Sequence, residues 1–421
     1  MLIENFQSKI YKKEVFFLFG LYLTLLISFY FGEDSTGGAY MDYHSHKLVV
    51  KEFKENFISS FLNYNNLGTR HSPVLIIILS FLEKLISSDT ILRLIHLHFC
   101  LLLPFFFFKT LEIKYKDVDN KILLLLTSLI FLSPTFRSLS IWPDSRLLGI
   151  TVFTISIFYY LKFLDNKNFL FVILNILFCA LGSYLSPNFC VFSIFFFSRY
   201  LSEYKLLSKE IFFIIILNFL IAFPAFFYVF IMEINFFNKS AAIERETSDI
   251  MFVNIFNDIL ITFSFLFFYI IPFIFLKIIK NDYFLTIKNF ALSLIVFLIC
   301  AYNFDYNYLN SGGGFFFKIS QTFFGNNHIF FLVSFISIIT FLPILLNNKY
   351  NFLLFVLILL NNPQYTMYHK YFDPFLIIIF FTIFFLNVDL RILSKIKSFL
   401  FVFFYFFSFL IISNIKFLWK I

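Results

Sequence analysis

The chain has 421 residues, 60% of them hydrophobic and only 14% charged, with a net charge of +8. Apolar residues in that proportion exclude a soluble globular domain and an intrinsically disordered chain alike. The positive charge is spread over many short loops, so no basic block of the kind that binds nucleic acid is present and no nucleic-acid partner is expected.

In chain order, apolar runs fall near 14–31, 90–108, 122–140, 143–162, 168–186, 188–200, 210–232, 256–276, 288–303, 328–346, 350–361, 372–388 and 398–418. A helix of about 20 apolar residues crosses a hydrocarbon core of roughly 30 Å. Barrel strands are shorter and alternate apolar with polar. The run 211–232 is instead apolar on every side and must satisfy its backbone internally, as a helix does. The expected fold is an all-α polytopic membrane protein of about 13 transmembrane helices (roughly 11–14). It forms one integral membrane domain over 1–421, with a first outer loop and juxtamembrane segment at 32–89. The 74 Phe read as generic lipid-facing bulk, and Cys100, Cys179, Cys190 and Cys300 as small apolar residues without metal-type spacing.

The first run follows Lys9, Lys12 and Lys13, and no small-residue cleavage site comes after it, so an uncleaved anchor is expected. Segment 73–87 is short and contains Glu83 and Lys84, so its length leaves a span or an interfacial helix open. The positive-inside rule decides. If 73–87 does not cross, the basic loops 109–121, 199–209, 277–288 and 389–397 share the cytoplasmic side. The loop 32–72 and the segments around 134–146, 233–255, 304–327 and 362–371 then lie outside. Within the first loop, Leu48, Val49, Phe53, Phe57, Ile58, Phe61 and Leu62 recur at helical spacing, which predicts a juxtamembrane amphipathic helix over 48–62.

This topology gathers polar residues from distant parts of the chain at one membrane surface. The first loop supplies Asp42, His44 and His46, then Arg70 and His71. The turn between the third and fourth spans supplies Arg137, Asp144 and Arg146, and a late loop supplies Tyr365, His369 and Lys370. Arg93 and His96 open the second span on one helical face. Ionisable groups beside hydrocarbon are costly, so each points first to function. Other readings stay open: Arg137, Arg146 and Lys370 also suit snorkelling anchors, and Asp144 a helix N-terminal residue. His44 and His46 have chelate spacing if their segment is extended, and Gly312-Gly313-Gly314 suits a phosphate nest.

The order of these features resembles the GT-C superfamily, polytopic glycosyltransferases that take sugars from polyprenyl-phosphate donors, and is similar to its dolichyl-phosphate-mannose/aminoarabinose transferase group. Members carry an acid in the first outer loop after span one, here Asp42, followed by an amphipathic stretch. Arg70-His71-Ser72-Pro73-Val74-Leu75 resembles their His-Pro-Pro-like motif, with Ser72 in place of the first proline. Asp89, Leu92, Arg93 and Leu94 resemble the acid and Leu-Arg-Leu entry into the next helix, and Ser133, Pro134, Arg137, Pro143 and Asp144 the following turn. The likeness covers about residues 1–200 and rests on the order of motifs rather than on any single one.

The resemblance implies an inverting hexosyl or pentosyl transferase in a bacterial plasma membrane, its site outside the cytoplasm and its role in cell-envelope glycan biosynthesis. Its partners are the bilayer, a polyprenyl-phosphate sugar donor and a lipid, glycan or protein acceptor. Asp42 is the expected catalytic base. His44, His46, Arg70, His71, Arg93, Arg137, Asp144, Arg146, Tyr365, His369 and Lys370 are the expected substrate-binding residues, the cations facing phosphate. The family chemistry also admits a divalent metal, Mg or Mn. Many members have paired acids in the first loop, whereas Asp42 is followed by Tyr43, a departure that bears on metal coordination. The alternatives are an oligosaccharide polymerase of the Wzy type, whose large catalytic loop usually lies in the later half, and a lipid or solute transporter, expected to show paired halves with interrupted helices.

Overall fold

In a computed structural model the chain is described over residues 12–69, 71–234, 254–280, 286–307, 312–364 and 366–418. Long apolar runs become helices because only a helix closes its own hydrogen bonds away from water. Helix α1 (Lys12–Phe31) leads into the first loop, which holds α2 (Ala39–Glu55), α3 (Phe57–Leu62) and α4 (Pro73–Leu85). Helices α5 (Asp89–Cys100) and α6 (Leu102–Lys114) run on as one apolar rod. Next come α7 (Asn120–Ser128), α8 (Pro134–Ile141), α9 (Ser145–Asn166), α10 (Phe169–Leu185), α11 (Ser193–Glu203) and α12 (Lys209–Phe226). The second half holds α13 (Ile255–Phe275), α14 (Ile287–Tyr302), α15 (Gly314–Phe324), α16 (His328–Asn347), α17 (Lys349–Leu360), α18 (Phe375–Thr382) and α19 (Ile396–Leu418). Two short strands, β1 (Ile279–Lys280) and β2 (Asn387–Val388), pair antiparallel.

Among the described residues, seven helices are long and apolar enough to cross a membrane, or up to eight if the bent α7–α8 pair is one span. Phe169–Leu185, Ile287–Tyr302 and Lys349–Leu360 are shorter apolar helices. The protein is therefore a helical, multi-pass membrane protein. Helix length alone does not give thirteen spans, because several of the expected runs are short or broken. The run at 122–140 bends by 64° before α8. Pro134 causes this break, since it occupies the first turn of α8 and cannot donate into a continuing helix. The run at 372–388 yields only the eight residues of α18, all buried. Most of 233–255 and part of 304–327 lie outside the described residues.

The first loop also differs from expectation. The helix starts at Ala39 rather than near residue 48, because Asp34 accepts hydrogen bonds from the amides of Gly37, Gly38, Ala39 and Tyr40 and so satisfies the start of α2. It breaks at Asn56, whose side chain accepts from the Ser59 amide and opens α3. Asp42, His44 and His46 consequently lie on a helix.

The long rods fix two ends of the molecule. Asp89 at the start of α5 holds α2, accepting from Tyr43 Oη at 2.6 Å and Lys47 Nζ at 2.8 Å. Lys114, at the other end of the same 26-residue rod, lies about 38 Å away at a rise of 1.5 Å per residue. Helix α9 runs likewise from Ser145 to the Asp165 region, where Asp165 pairs with Lys116 of the basic 109–121 loop. The first loop and that basic loop therefore sit at opposite ends.

Candidate functional site

At the first-loop end, three distant parts of the chain converge. Asp42 lies in the first turn of α2. Lys370, in a short 3₁₀ turn at His369–Tyr371, donates from Nζ to Asp42 Oδ2 at 2.8 Å. The two side chains are 24% and 35% exposed, so the pair is open to an incoming group. Burial works against the Lys370 ammonium, but Asp42 foremost, with Tyr371 and Asp144, outweighs it and raises its pKa.

His46 is one helical turn below Asp42 and fully buried. Its ring meets that of His71 edge-on at 4.4 Å, and neither of its nitrogens finds a hydrogen-bond partner of ordinary geometry. Burial lowers its pKa against the opposing influence of Asp144 and Asp42, so the ring is held neutral near pH 7. His71 Nδ1 approaches Ser145 Oγ at 3.5 Å. Asp144 is the N-cap of α9, accepting from the Arg146 amide at 2.6 Å. The Arg146 guanidinium is buried, stacks over Phe189 at 4.7 Å and donates Nη2 to the Tyr371 carbonyl. Its Nε and Nη1 are buried without partners. Asp42, His46, His71, Asp144, Arg146 and Lys370 thus form one cluster.

Other predicted residues have different work. His44 is exposed beside the Tyr40 ring, on another face of α2 from His46. The expected chelate spacing fails because residues two apart on a helix diverge. Arg137 is committed to Glu33, with its Nη2 2.9 Å from Glu33 Oε2 and further bonds to Thr24 and Ser28. Arg93 donates Nε to the Ile141 carbonyl at 3.0 Å and stacks on Trp142 at 3.6 Å, while His96 Nε2 meets the Leu139 carbonyl at 2.9 Å. These two side chains take two of the C-terminal carbonyls that α8 leaves open. At the other end of α8, Asp373 accepts from Ser133 Oγ at 2.6 Å and from the Thr135 amide at 3.0 Å. An acid at the start of α8 and a cation at its end both complement its dipole. His369 Nε2 accepts from the Phe315 amide at 3.0 Å, and Nδ1 lies 3.3 Å from Tyr269 Oη. His369 thereby anchors the Gly312–Gly314 turn. That turn is not a phosphate nest: the Gly313 amide donates to the Met367 carbonyl, and a Cβ on Gly312 would lie 2.8 Å from that same oxygen. Arg70 and Tyr365 lie outside the described residues.

Two acids that the sequence reading passed over are structurally central. Glu33 and Asp34 adjoin each other directly after α1, a pair visible in the sequence. Burial raises the Glu33 pKa, but Arg137 outweighs it and holds the carboxyl below its usual range. Asp34 is consumed by the amides of α2. The donor set does not fit a divalent metal, since Asp42 faces an ammonium. Among the described residues no three His, Cys, Asp or Glu side chains are grouped to hold one. Comparison with protein-family profiles, with curated proteins and with solved structures finds no match.

Proposed function

We propose that this chain is a membrane glycosyltransferase, moving a hexosyl or pentosyl group with inversion from a polyprenyl-phosphate donor to a lipid, glycan or protein acceptor. The observation that carries the reading is the half-open Asp42–Lys370 pair, flanked by His46, His71, Asp144 and Arg146 from three distant segments. In the proposed step the acceptor oxygen bonds to the anomeric carbon and the bond to the phosphate oxygen breaks, its electron pair leaving with the phosphate. The acceptor proton passes to Asp42. Lys370 faces the departing phosphate and Arg146 adds positive charge behind it. His46 and His71 shape the floor against which the sugar rests.

The basic loop at the Lys116 end supports an orientation with the Asp42 end outside the cytoplasm, by the positive-inside rule, and the bacterial plasma membrane is part of the same proposal. The shorter helices and the bent α7–α8 pair would supply the remaining crossings up to thirteen. That bent pair is the kind of interrupted helix a transporter uses. Its freed ends, however, are closed by Ser133, Asp373, His96 and Arg93 rather than left open to a substrate.

The test is mass spectrometry of lipid-linked sugars retained by the purified protein, followed by transfer assays with the donor so identified. Asp42→Asn should insert and fold normally while losing about 10²–10⁴-fold in turnover, the usual contribution of a general base. Near-normal transfer by that variant sinks the assignment.

A further inference from the structure

At the end opposite Asp42 lies a cavity of about 370 Å³, walled by Ile113 and Lys114 of α6, Tyr160, Leu161, Leu164 and Asp165 of α9, and the chain from Thr382 to Leu386. Its size falls in the range of small-molecule sites, roughly 300–1,000 Å³, and its walls are mostly apolar. Lys114 is the one cation among the lining residues. Its Nζ donates to the Phe384 carbonyl at 3.0 Å and lies 5.5 Å from the centre of the Tyr115 ring. Among the described residues no carboxylate pairs with it. The neighbouring charges are already matched: Asp165 with Lys116, Lys109 with Glu112 at 2.7 Å, and Lys167 with Glu203. The Tyr160 hydroxyl accepts from Arg199 Nε at 2.8 Å, and the adjacent Tyr115 hydroxyl is buried without a partner.

Lys114 Nζ thus has a carbonyl and an aromatic ring beside it but no carboxylate partner among the described residues, and it is only half-buried, so it can take the charge of an anion entering the recess. Lysine serves phosphate as a point charge, its stem lying along apolar wall. Two of the lining residues, Phe385 at 41% exposure and Asp165, are exposed, so the recess opens to the surroundings. Basic pockets between membrane helices are suited to anionic headgroups. We propose that this cavity binds an anionic phosphate ester, its phosphate at Lys114 Nζ and its apolar part against Leu161, Ile383 and Phe384. The ester comes either from a phospholipid or from a soluble pool. The inference is independent of the glycosyltransferase reading, because the cavity lies at the other end of the rods.

The test uses the full-length protein in detergent, with native mass spectrometry reading retained dioleoyl phosphatidic acid against phosphatidylcholine of the same chains. Wild type should retain one phosphatidic acid at concentrations where phosphatidylcholine is lost, and Lys114→Met should weaken retention about ten- to a hundredfold. Leu386→Trp fills the recess while keeping the charge, and should also abolish retention. This second variant keeps the test decisive if Lys114→Met does not fold. Displacement of the lipid by inorganic phosphate at millimolar concentration or below assigns the site to a soluble ester, and resistance to it assigns the site to lipid. Equal retention of the two lipids, with no phosphate binding, overturns the proposal. So does full retention by a folded Lys114→Met or Leu386→Trp.

Discussion

Two acid–cation pairs reach from the first loop to distant segments, and they differ in what surrounds them. Glu33–Arg137 is sealed, its side chains 8% and 7% exposed, with Thr24, Ser28 and Asn414 taking further hydrogen-bonding positions. Asp42–Lys370 is open, with no such ring of hydrogen-bond partners among the described residues and several times the exposure. A sealed pair locks helices together and has no valence left for a ligand. An open pair adds little stability, because solvent screens it, yet both groups stay available. Exposure and saturation, rather than charge, separate the fastening from the candidate site.

The largest effect should come from unbalancing the sealed pair. Arg137→Met leaves the Glu33 carboxylate buried without its cation, which typically costs about 3–5 kcal/mol. Chemical denaturation in detergent should show this loss, and the double variant Glu33→Gln/Arg137→Met should recover much of it. If Arg137→Met is as stable as wild type but loses donor binding, Arg137 belongs to the substrate after all. Breaking the open pair should do the reverse. Lys370→Met is expected to change stability by no more than about 1 kcal/mol. It should weaken donor binding by about 1.5–3 kcal/mol, the worth of a charge-assisted hydrogen bond. Donor affinity unchanged in a folded Lys370→Met would remove the lysine from the proposed site.

Much of this arrangement is legible in the sequence. The apolar runs mark the rods, and placing the basic loops on one side leaves the segments that carry Asp42, His46, His71, Asp144, Arg146 and Lys370 together on the other. What the sequence hides is occupancy. Arg93, Arg137 and His369 look as available as Lys370, and only the folded chain shows that an α8 carbonyl, Glu33 and the Phe315 amide have claimed them. Glu33 and Asp34 read as ordinary loop acids because their partners lie in the Arg137 helix and in the chain's own amides. The α8 break is signalled by Ser133-Pro134, but its capping by His96 and Asp373 needs residues 43 and 240 positions from their partners. Long-range pairing of this kind has no local periodicity to betray it.

Asp373 gives the subtlest way to sharpen the contrast, since it is a sealed acid with no cation paired to it among the described residues. Burial raises its pKa to about 6, against the hydrogen bonds from Ser133, Thr135 and Tyr269 that lower it. Its ordinary value is 3.8, so between about 4 and 6 the native state holds a proton that the unfolded chain has released. Stability from this group is therefore greatest below pH 4 and declines as pH rises through 6, with a limiting slope of about 1.4 kcal/mol per pH unit. Glu33 and His46 act with the opposite sign, because their pKa values are lowered and their contributions are lost as pH falls. The informative quantity is accordingly the difference between wild type and Asp373→Asn, in which those shared contributions cancel. That difference should shift in favour of the Asn variant as pH rises from 4 to 6 and be flat above about 7. Denaturation midpoints in detergent across pH 4–8 measure it. Parallel curves for the two proteins would show that Asp373 enters the fold already ionised, and its contacts at the start of α8 would then be those of a helix-capping carboxylate.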